Sequence, residues 1–198
     1  MFKFFSLLIL FVNSTFAMQV AIVATVNDKV ITSFDVTERA KISQTLNPEI
    51  FKNASGGEVK TAILERLIQE ELLFKMANDN GFKISNEEIL DSIKTIASTN
   101  PALKNKNLEN ALGLNGYKSF QNQVKGEIIY NAILSSQAKD KLNFSEKEVE
   151  RFMVSYNNEN QKKINFAEAK NILTSMKIGE IQQSMMKNLQ ENSIIERK

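Results

Sequence analysis

The side chains that most often carry out catalysis are missing from this sequence. Its 198 residues include no histidine and no cysteine. Histidine is the commonest general acid–base and a common metal ligand, and cysteine supplies thiol nucleophiles, disulfides and thiolate metal sites. The two absences therefore argue against most hydrolases, redox enzymes and zinc proteins.

Paired carboxylates are the remaining groups that could do chemistry. Glu70–Glu71 and Glu87–Glu88 are each adjacent in sequence, so their side chains point in different directions on a helix. This favours solvated and capping roles over an acid–base couple. Gly56–Gly57 is not a phosphate-binding loop, because it lacks the neighbouring lysine and hydroxyl residue of that motif. We therefore expect no catalytic residue, no cofactor and no metal ion.

Composition predicts a folded and mostly helical chain. Hydrophobic residues make up 42% and charged residues 24%, with only seven glycines and two prolines. The formal net charge of +2 offers no general attraction to nucleic acid, so no nucleic-acid partner is expected.

The clearest helical pattern covers residues 59–96, which we interpret as two helices. In the first helix the apolar positions cover more than half of the circumference, which indicates packing on more than one side. Gly81 is typical of the left-handed residue that ends a helix, and Ser85 with Glu88 forms a capping box that begins the next one.

Local signals also predict the elements on either side. Residues 20–32 are typical of a β-hairpin turning at Asn27–Asp28, and residues 47–58 are predicted to be a loop broken by the glycine pair. Thr32 and Asp35 are predicted to cap a helix that runs to about Leu46. A short helix over 106–112 is closed by Gly113, and a long helix runs from Tyr117 to about Leu142. A further helix begins at a Ser145–Glu148 capping box and runs through about Ser155.

The C-terminal part follows a polar linker over residues 156–165. A long helix begins at Phe166, and its apolar face shifts near Gly179. Either the helix kinks there or its two halves meet different partners. We expect Ser193–Glu196 to add a third strand beside the N-terminal hairpin.

Residues 1–17 have the pattern of a cleavable secretory signal peptide. Lys3 precedes an apolar run that is about half of the roughly 20 residues needed to span a membrane, and the sequence predicts cleavage after Ala17. No stable membrane insertion is therefore expected. An uncleaved anchor and a buried N-terminal strand are the alternatives.

The order of these motifs resembles that of the SurA-type periplasmic chaperones. The residues that carry the resemblance are A-x-V-N-D-x-x-I-T at 24–32, L-I-x-E-x-L-L at 67–73, F-x-E-A at 166–169 and the terminal I-E-R. The resemblance implies a mostly α, multi-helix chaperone core with a small antiparallel sheet. It also implies a SurA N-terminal-like domain over 18–155, a linker over 156–165 in place of the parvulin isomerase domains, and a C-terminal helix and strand over 166–198 that pack back on the core.

The resemblance implies a periplasmic, ATP-independent holding chaperone for unfolded or nascent outer-membrane proteins, assisting their folding or assembly. A prolyl isomerase, by family naming only, and a single-partner envelope module are the alternatives. A homodimer or a domain swap is also left open.

Flexible methionines suit a groove that must adapt to varied clients. The client-binding candidates are Phe152, Met153, Tyr156, Met176, Met185 and Met186. The alternative is that each is an ordinary core residue.

Overall fold

The chain folds as a group of helices packed against a three-stranded antiparallel sheet, which confirms the predicted fold class. A computed structural model describes residues 20–49, 51, 54–104, 107–160 and 163–198. The predicted signal peptide over residues 1–17 and its cleavage site lie outside the described residues. No helix within the described ranges is long and apolar enough to cross a membrane.

The described elements follow one another in a simple order. They are strands β1 (Ile22–Val26) and β2 (Lys29–Thr32), helices α1 (Ser33–Leu46), α2 (Gly56–Asp79), α3 (Asn86–Thr99), α4 (Leu108–Ala138), α5 (Glu146–Asn160) and α6 (Phe166–Glu191), and strand β3 (Ile195–Arg197).

The sheet brings the two ends of the described chain together. Its strand order is β2-β1-β3, and both β2 and β3 run antiparallel to β1. Asn27 turns the β1–β2 hairpin in the left-handed region, with φ of 53°, a conformation that asparagine tolerates better than most residues. Ile195 lies opposite Val26, so the predicted pairing of the C-terminal strand with the hairpin is confirmed.

Helix α2 lies at the centre of the fold. It packs against α1, α4 and α6 and also contacts strands β1 and β2. Ile68 and Leu72 meet the buried sheet residues Ala24 and Val26, while Leu73 packs against Ile129 of α4. Packing on more than one side is therefore confirmed.

The predicted helix ends are confirmed where side chains supply the caps. The Ser85 N–H donates to Glu88 Oε2 at 2.8 Å, and the Glu88 N–H donates to Ser85 Oγ at 3.2 Å. The Thr32–Asp35 and Ser145–Glu148 pairs make the same reciprocal bonds. Gly81 has φ of 68° and ends the first helix of the 59–96 pattern as predicted.

The predicted loop over residues 47–58 is wrong at its end, because α2 begins at Gly56. Gly56 and Gly57 occupy the first turn, where backbone N–H groups have no partner inside the helix. A capping box that the sequence analysis missed compensates for the weak helix propensity of the two glycines. In this box the Ser55 N–H donates to Glu58 Oε2 at 2.9 Å.

Two other boundaries differ from prediction. Gly113 has φ of 70° and divides α4 into a short helix and a long one, as predicted, but the long helix ends at Ala138, before Leu142. Helix α5 continues past Ser155 to Asn160. The Ile164 N–H then donates to Asn157 Oδ1 at 2.7 Å, so part of the predicted linker is helical and its end is pinned to α5.

Helix α6 is continuous through Gly179, and its two halves meet different partners. Ala169 and Leu173 pack with Val149 of α5, whereas Leu189 near the other end packs in the clusters built on α2 and α4. The second of the two predicted explanations for the shifted apolar face is therefore correct. We call α5 and the first half of α6 the arm, because α5 packs mainly on α6.

Candidate functional site

A buried ion pair joins α1, α2 and α4 at the centre of the molecule. Arg39 of α1 is 3% exposed and Glu70 of α2 is 5% exposed. Two hydrogen bonds connect the guanidinium to the carboxylate, one of them from Nη2 to Oε2 at 2.9 Å. Arg39 also donates to the Ser119 hydroxyl at 3.2 Å and to the Ser119 carbonyl at 3.0 Å, so both charges are well satisfied.

The expectation that Glu70 is solvated is therefore wrong, whereas the capping role of Glu88 is confirmed. Gly126 of α4 explains how the Glu70 carboxylate fits, because a Cβ at that position would come within 3.1 Å of Glu70 Cγ. One signal was present in the sequence. Glu70 is seven residues after Ile63 and three before Leu73, so it lies on a buried face of α2.

Beside this ion pair, α1, the segment after it and α2 form an open apolar cleft of about 530 Å³, to which α4 contributes Gln123. We call it the α1–α2 cleft. Ile63 is buried at its wall, while Ala62 is exposed to it. The other described lining residues are Arg39, Ser43, Asn47, Phe51, Ala54, Glu58, Val59, Arg66 and Gln123. Six of the eleven described lining residues are polar or charged, but the surface that lines the cleft is mostly apolar, which suits binding of an apolar group rather than acid–base chemistry.

The charged groups at this cleft are held by their neighbours. Hydrogen bonds from Ser55 lower the pKa of the Glu58 carboxyl below its ordinary value. Arg66 Nη2 lies 3.3 Å from Glu127 Oε1 on α4. Since Arg39 is paired with Glu70, no lining charge among the described residues is available to a ligand without breaking a contact.

A second, smaller cleft of about 210 Å³ lies further along α2 and α4. Leu73, Gly126, Tyr130 and Met186 line it, together with Arg66, Gln69, Glu70, Gln123 and Glu127. Met186 is therefore the one client-binding candidate that lines either of these two clefts.

The structure separates the other client-binding candidates. Phe152, Met153 and Tyr156 are half-buried in the arm, where they pack with Val149 and Ile164. The Phe152 and Tyr156 rings lie 5.7 Å apart. These three residues form one cluster, but they are partly covered by α6.

The two remaining methionines have opposite environments. Met176 is 52% exposed on α6, whereas Met185 is 2% exposed and belongs to the core. The six candidates therefore do not form one surface. Ten of the eleven described residues that line the α1–α2 cleft lie between Arg39 and Arg66, and only Gln123 is distant in sequence. Sequence patterns place these residues on α1 and α2, but they do not show that the two helices leave a cleft between them.

Metal chemistry finds no support in the described ranges. No group of three or more acidic side chains there is arranged to hold a metal ion. Burial raises the pKa of the Glu71 carboxyl above its ordinary value. Glu71 lies near the ion pair, in a pocket that Asp35, Glu38 and Lys118 also line.

Comparison with known proteins decides the family. Residues 20–134, which include the α1–α2 cleft and the Arg39–Glu70 pair, match the SurA N-terminal domain. The chain belongs to the SurA N-terminal domain family. The resemblance seen in the sequence is thereby confirmed.

Individual relatives are similar at modest identity. The chaperone SurA of Pseudomonas syringae pv. tomato is 29% identical over 142 residues, which is 68% of this chain and 32% of that protein. The chaperone SurA of Hydrogenovibrio crunogenus is 24% identical over 135 residues, 67% of this chain and 30% of that protein. An uncharacterized protein of Rickettsia typhi is 34% identical over 157 residues, 73% of this chain and half of that protein. The chain thus spans about a third of the length of these SurA relatives.

Proposed function

We propose that this chain is a non-enzymatic, ATP-independent holding chaperone of the periplasm, whose clients are unfolded outer-membrane proteins. The observation that carries the proposal is the apolar α1–α2 cleft inside the region that matches the SurA N-terminal domain. Relatives named chaperone SurA support the general class of activity. The signal-peptide pattern of residues 1–17 supports the compartment.

The mechanism is capture without chemistry. An unfolded client buries apolar side chains in the cleft, and the free energy of removing that surface from water drives binding. The charged exterior then keeps the complex in solution. The arm residues Phe152, Met153 and Tyr156, with Met176, are proposed as a second and weaker contact surface, while Met185 contributes to stability.

Suppression of client aggregation tests the proposal. A urea-unfolded outer-membrane β-barrel protein is diluted into buffer with the purified protein, and light scattering is followed. We expect suppression near an equimolar ratio. No suppression with several such clients would contradict the holding function and would favour a single-partner envelope module, which a pull-down from the envelope fraction would then identify.

A cleft variant tests the site separately from the function. Ala62→Lys places a charge where the client would bury apolar surface, and we expect about tenfold weaker client binding. Ala111→Lys is the matched control, because Ala111 is also an exposed helical alanine but does not line the cleft. Equal binding by the two variants would exclude the α1–α2 cleft as the client site.

A further inference from the structure

The two clefts lie along one face of α2. Val59, Ala62, Ile63 and Arg66 line the α1–α2 cleft, and Arg66, Gln69, Glu70 and Leu73 line the second cleft. Successive members are mostly three or four residues apart, so they share one side of the helix. Opposite this face, α1 and the segment after it line the α1–α2 cleft, whereas Gln123, Gly126, Glu127 and Tyr130 of α4 line the second cleft. Because Arg66 and Gln123 line both clefts, the clefts adjoin and form two parts of one groove along α2.

Polar contacts to Glu127 interrupt this groove. Arg66 and Gln123 line both clefts, and Glu127 lies between them. Arg66 Nη2 and Gln123 Nε2 each lie 3.3 Å from Glu127 Oε1. The Arg66 and Glu127 side chains are 55% and 42% exposed. Exposed ion pairs contribute little stability, so a ligand can open this bridge at small cost.

The groups at the bridge suit a polypeptide backbone. Gln123 Oε1 is buried and accepts no hydrogen bond from the described residues. A backbone N–H laid across the opened bridge would supply the missing donor, and Gln69 and Tyr130 offer further polar groups alongside.

The charges on either side of the bridge select against a charged occupant. Arg39 is paired with Glu70, and Glu58 accepts a hydrogen bond from Ser55. A charged side chain beside these groups would lose water without meeting a free opposite charge. Away from the bridge, the groove is therefore complementary to an uncharged segment.

The length of the groove sets the size of that segment. Val59 and Leu73 are 14 positions apart, which corresponds to about 21 Å along an α-helix. An extended chain advances about 3.3 Å per residue, so the groove holds roughly six or seven residues.

The geometry points to one continuous binding groove for an extended, uncharged polypeptide segment of about seven residues, closed at its middle by the Arg66–Glu127 bridge when it is empty. This inference rests on the proposed function and specifies its site. It differs from binding in the α1–α2 cleft alone, which accommodates only three or four extended residues on the same geometry.

Capped peptides of alternating leucine and serine test the groove by their length. Fluorescence anisotropy measures binding of four-, seven- and ten-residue peptides to the full protein. We expect affinity to increase from four to seven residues and then to level off. A lysine at the second position of the seven-residue peptide, away from the bridge, should weaken binding.

Glu127→Ala opens the bridge and tests its role. We expect this variant to bind the seven-residue peptide about twofold to fivefold more tightly, because exposed ion pairs contribute little free energy. Its affinity for the four-residue peptide should equal that of the wild type. Asp91→Ala is the matched control, because it removes the exposed Asp91–Lys94 pair on α3, away from the groove. Thermal unfolding establishes that both variants fold.

Cysteine capture locates the two ends of the peptide. Because the chain has no native cysteine, Ala62→Cys and Met186→Cys each provide a single thiol, one near each end of the groove. Oxidised glutathione is added as the two-electron oxidant, so that thiol–disulfide exchange joins the two thiols and releases reduced glutathione. We expect the seven-residue peptide to form a disulfide with one site through an N-terminal cysteine and with the other through a C-terminal cysteine.

Three results would overturn the inference. The first is a peptide affinity that does not increase beyond four residues. The second is a disulfide to the peptide at Ala62→Cys and not at Met186→Cys, and the third is an equal change in peptide affinity for Glu127→Ala and Asp91→Ala. Disulfides between two copies of the protein at both sites, with no peptide captured, would assign the groove to self-association. If the wild-type protein suppresses aggregation but any of these results is found, only the groove is wrong. If it neither suppresses aggregation nor binds a peptide, the proposed function fails as well.

Discussion

Among single residues, Arg39 and Glu70 have the largest expected effect on stability. Their buried pair connects α1 to α2, and the bonds from Arg39 to Ser119 extend the connection to α4. Removing one partner leaves a buried charge without compensation, whereas replacing both partners by apolar groups is often nearly neutral.

We therefore expect Glu70→Ala to lower the free energy of unfolding by about 3–5 kcal/mol. Urea denaturation monitored by circular dichroism measures the change. The double variant Arg39→Met, Glu70→Leu should recover most of the loss, because it removes both charges. Asp91→Ala, which removes the exposed Asp91–Lys94 pair, is the control. A loss for Glu70→Ala no larger than for Asp91→Ala would show that the buried pair does not stabilise the fold.

The raised pKa of the Glu71 carboxyl makes the stability of the folded protein depend on pH. Burial raises the pKa of its carboxyl, Lys29 opposes the shift, and Glu70 adds to it. The folded state thus binds the Glu71 proton more tightly than the unfolded state does, so stability is lost as pH rises from about 4 through the raised pKa.

Glu71→Gln should consequently unfold at a higher temperature than the wild type at pH 7, with the difference vanishing below pH 4. Calorimetry at both pH values checks this. A variant that is less stable at pH 7 would show that the contact with Lys29 outweighs the cost of burial.

Residue-scale prediction from sequence succeeded where the partner is local. Ser85 meets Glu88 three positions away, and the spacing alone identifies the bond. Arg39 meets Glu70 across 31 positions, so no spacing rule could pair them, although the position of Glu70 on a buried face of α2 was available.

Among the elements, α6 shows how far a hydrophobic pattern can predict packing. The shift of its apolar face predicted either a kink or two partners, and only the positions of α2, α4 and α5 decided between them. The start of α2 was missed for a local reason, since the glycine pair outweighed the Ser55–Glu58 cap in the sequence analysis.

Asn27 forms the β1–β2 turn and also bonds to the chain just before β3. Its backbone is left-handed, and its Oδ1 accepts a hydrogen bond from the Ile194 N–H at 3.0 Å. Asn27→Gly keeps the turn and loses the side-chain bond, whereas Asn27→Ala loses both. We expect Asn27→Ala to be about 1 kcal/mol less stable than Asn27→Gly, because alanine disfavours the left-handed region.

Thermal unfolding of these two variants, beside Asp28→Ala as a neighbouring control, measures the difference. Equal stability of Asn27→Ala and Asn27→Gly would mean that the turn relaxes and does not constrain β3.

In the whole molecule, the fold extends further along the chain than the family match does. The match ends at residue 134, but the sheet is completed by Ile195–Arg197. Arg197 also makes two bonds of 2.8 Å to Glu65 on α2. The C-terminal segment therefore stabilises the matched region from outside it.

The architecture was largely predictable from sequence, but the groove was not. Helices, caps and the third strand follow from local pattern and resemblance. The groove arises where α1, α2 and α4 meet, and its walls include residues such as Ala62, Gln123 and Gly126 that look ordinary in sequence. The client-binding candidates were chosen because methionine side chains are flexible, but in the structure these methionines lie in three different places: the arm, the core and the groove.

Hydrogen exchange measured by mass spectrometry, on the full protein with and without an unfolded outer-membrane protein, shows where the client binds. We expect the client to slow exchange in residues 58–73 of α2 and 123–130 of α4, since a bound segment would cover the groove that these residues line. Changes in residues 149–156 of the arm should be smaller. Slowed exchange confined to the arm, or no change at an equimolar ratio, would contradict client binding in the groove.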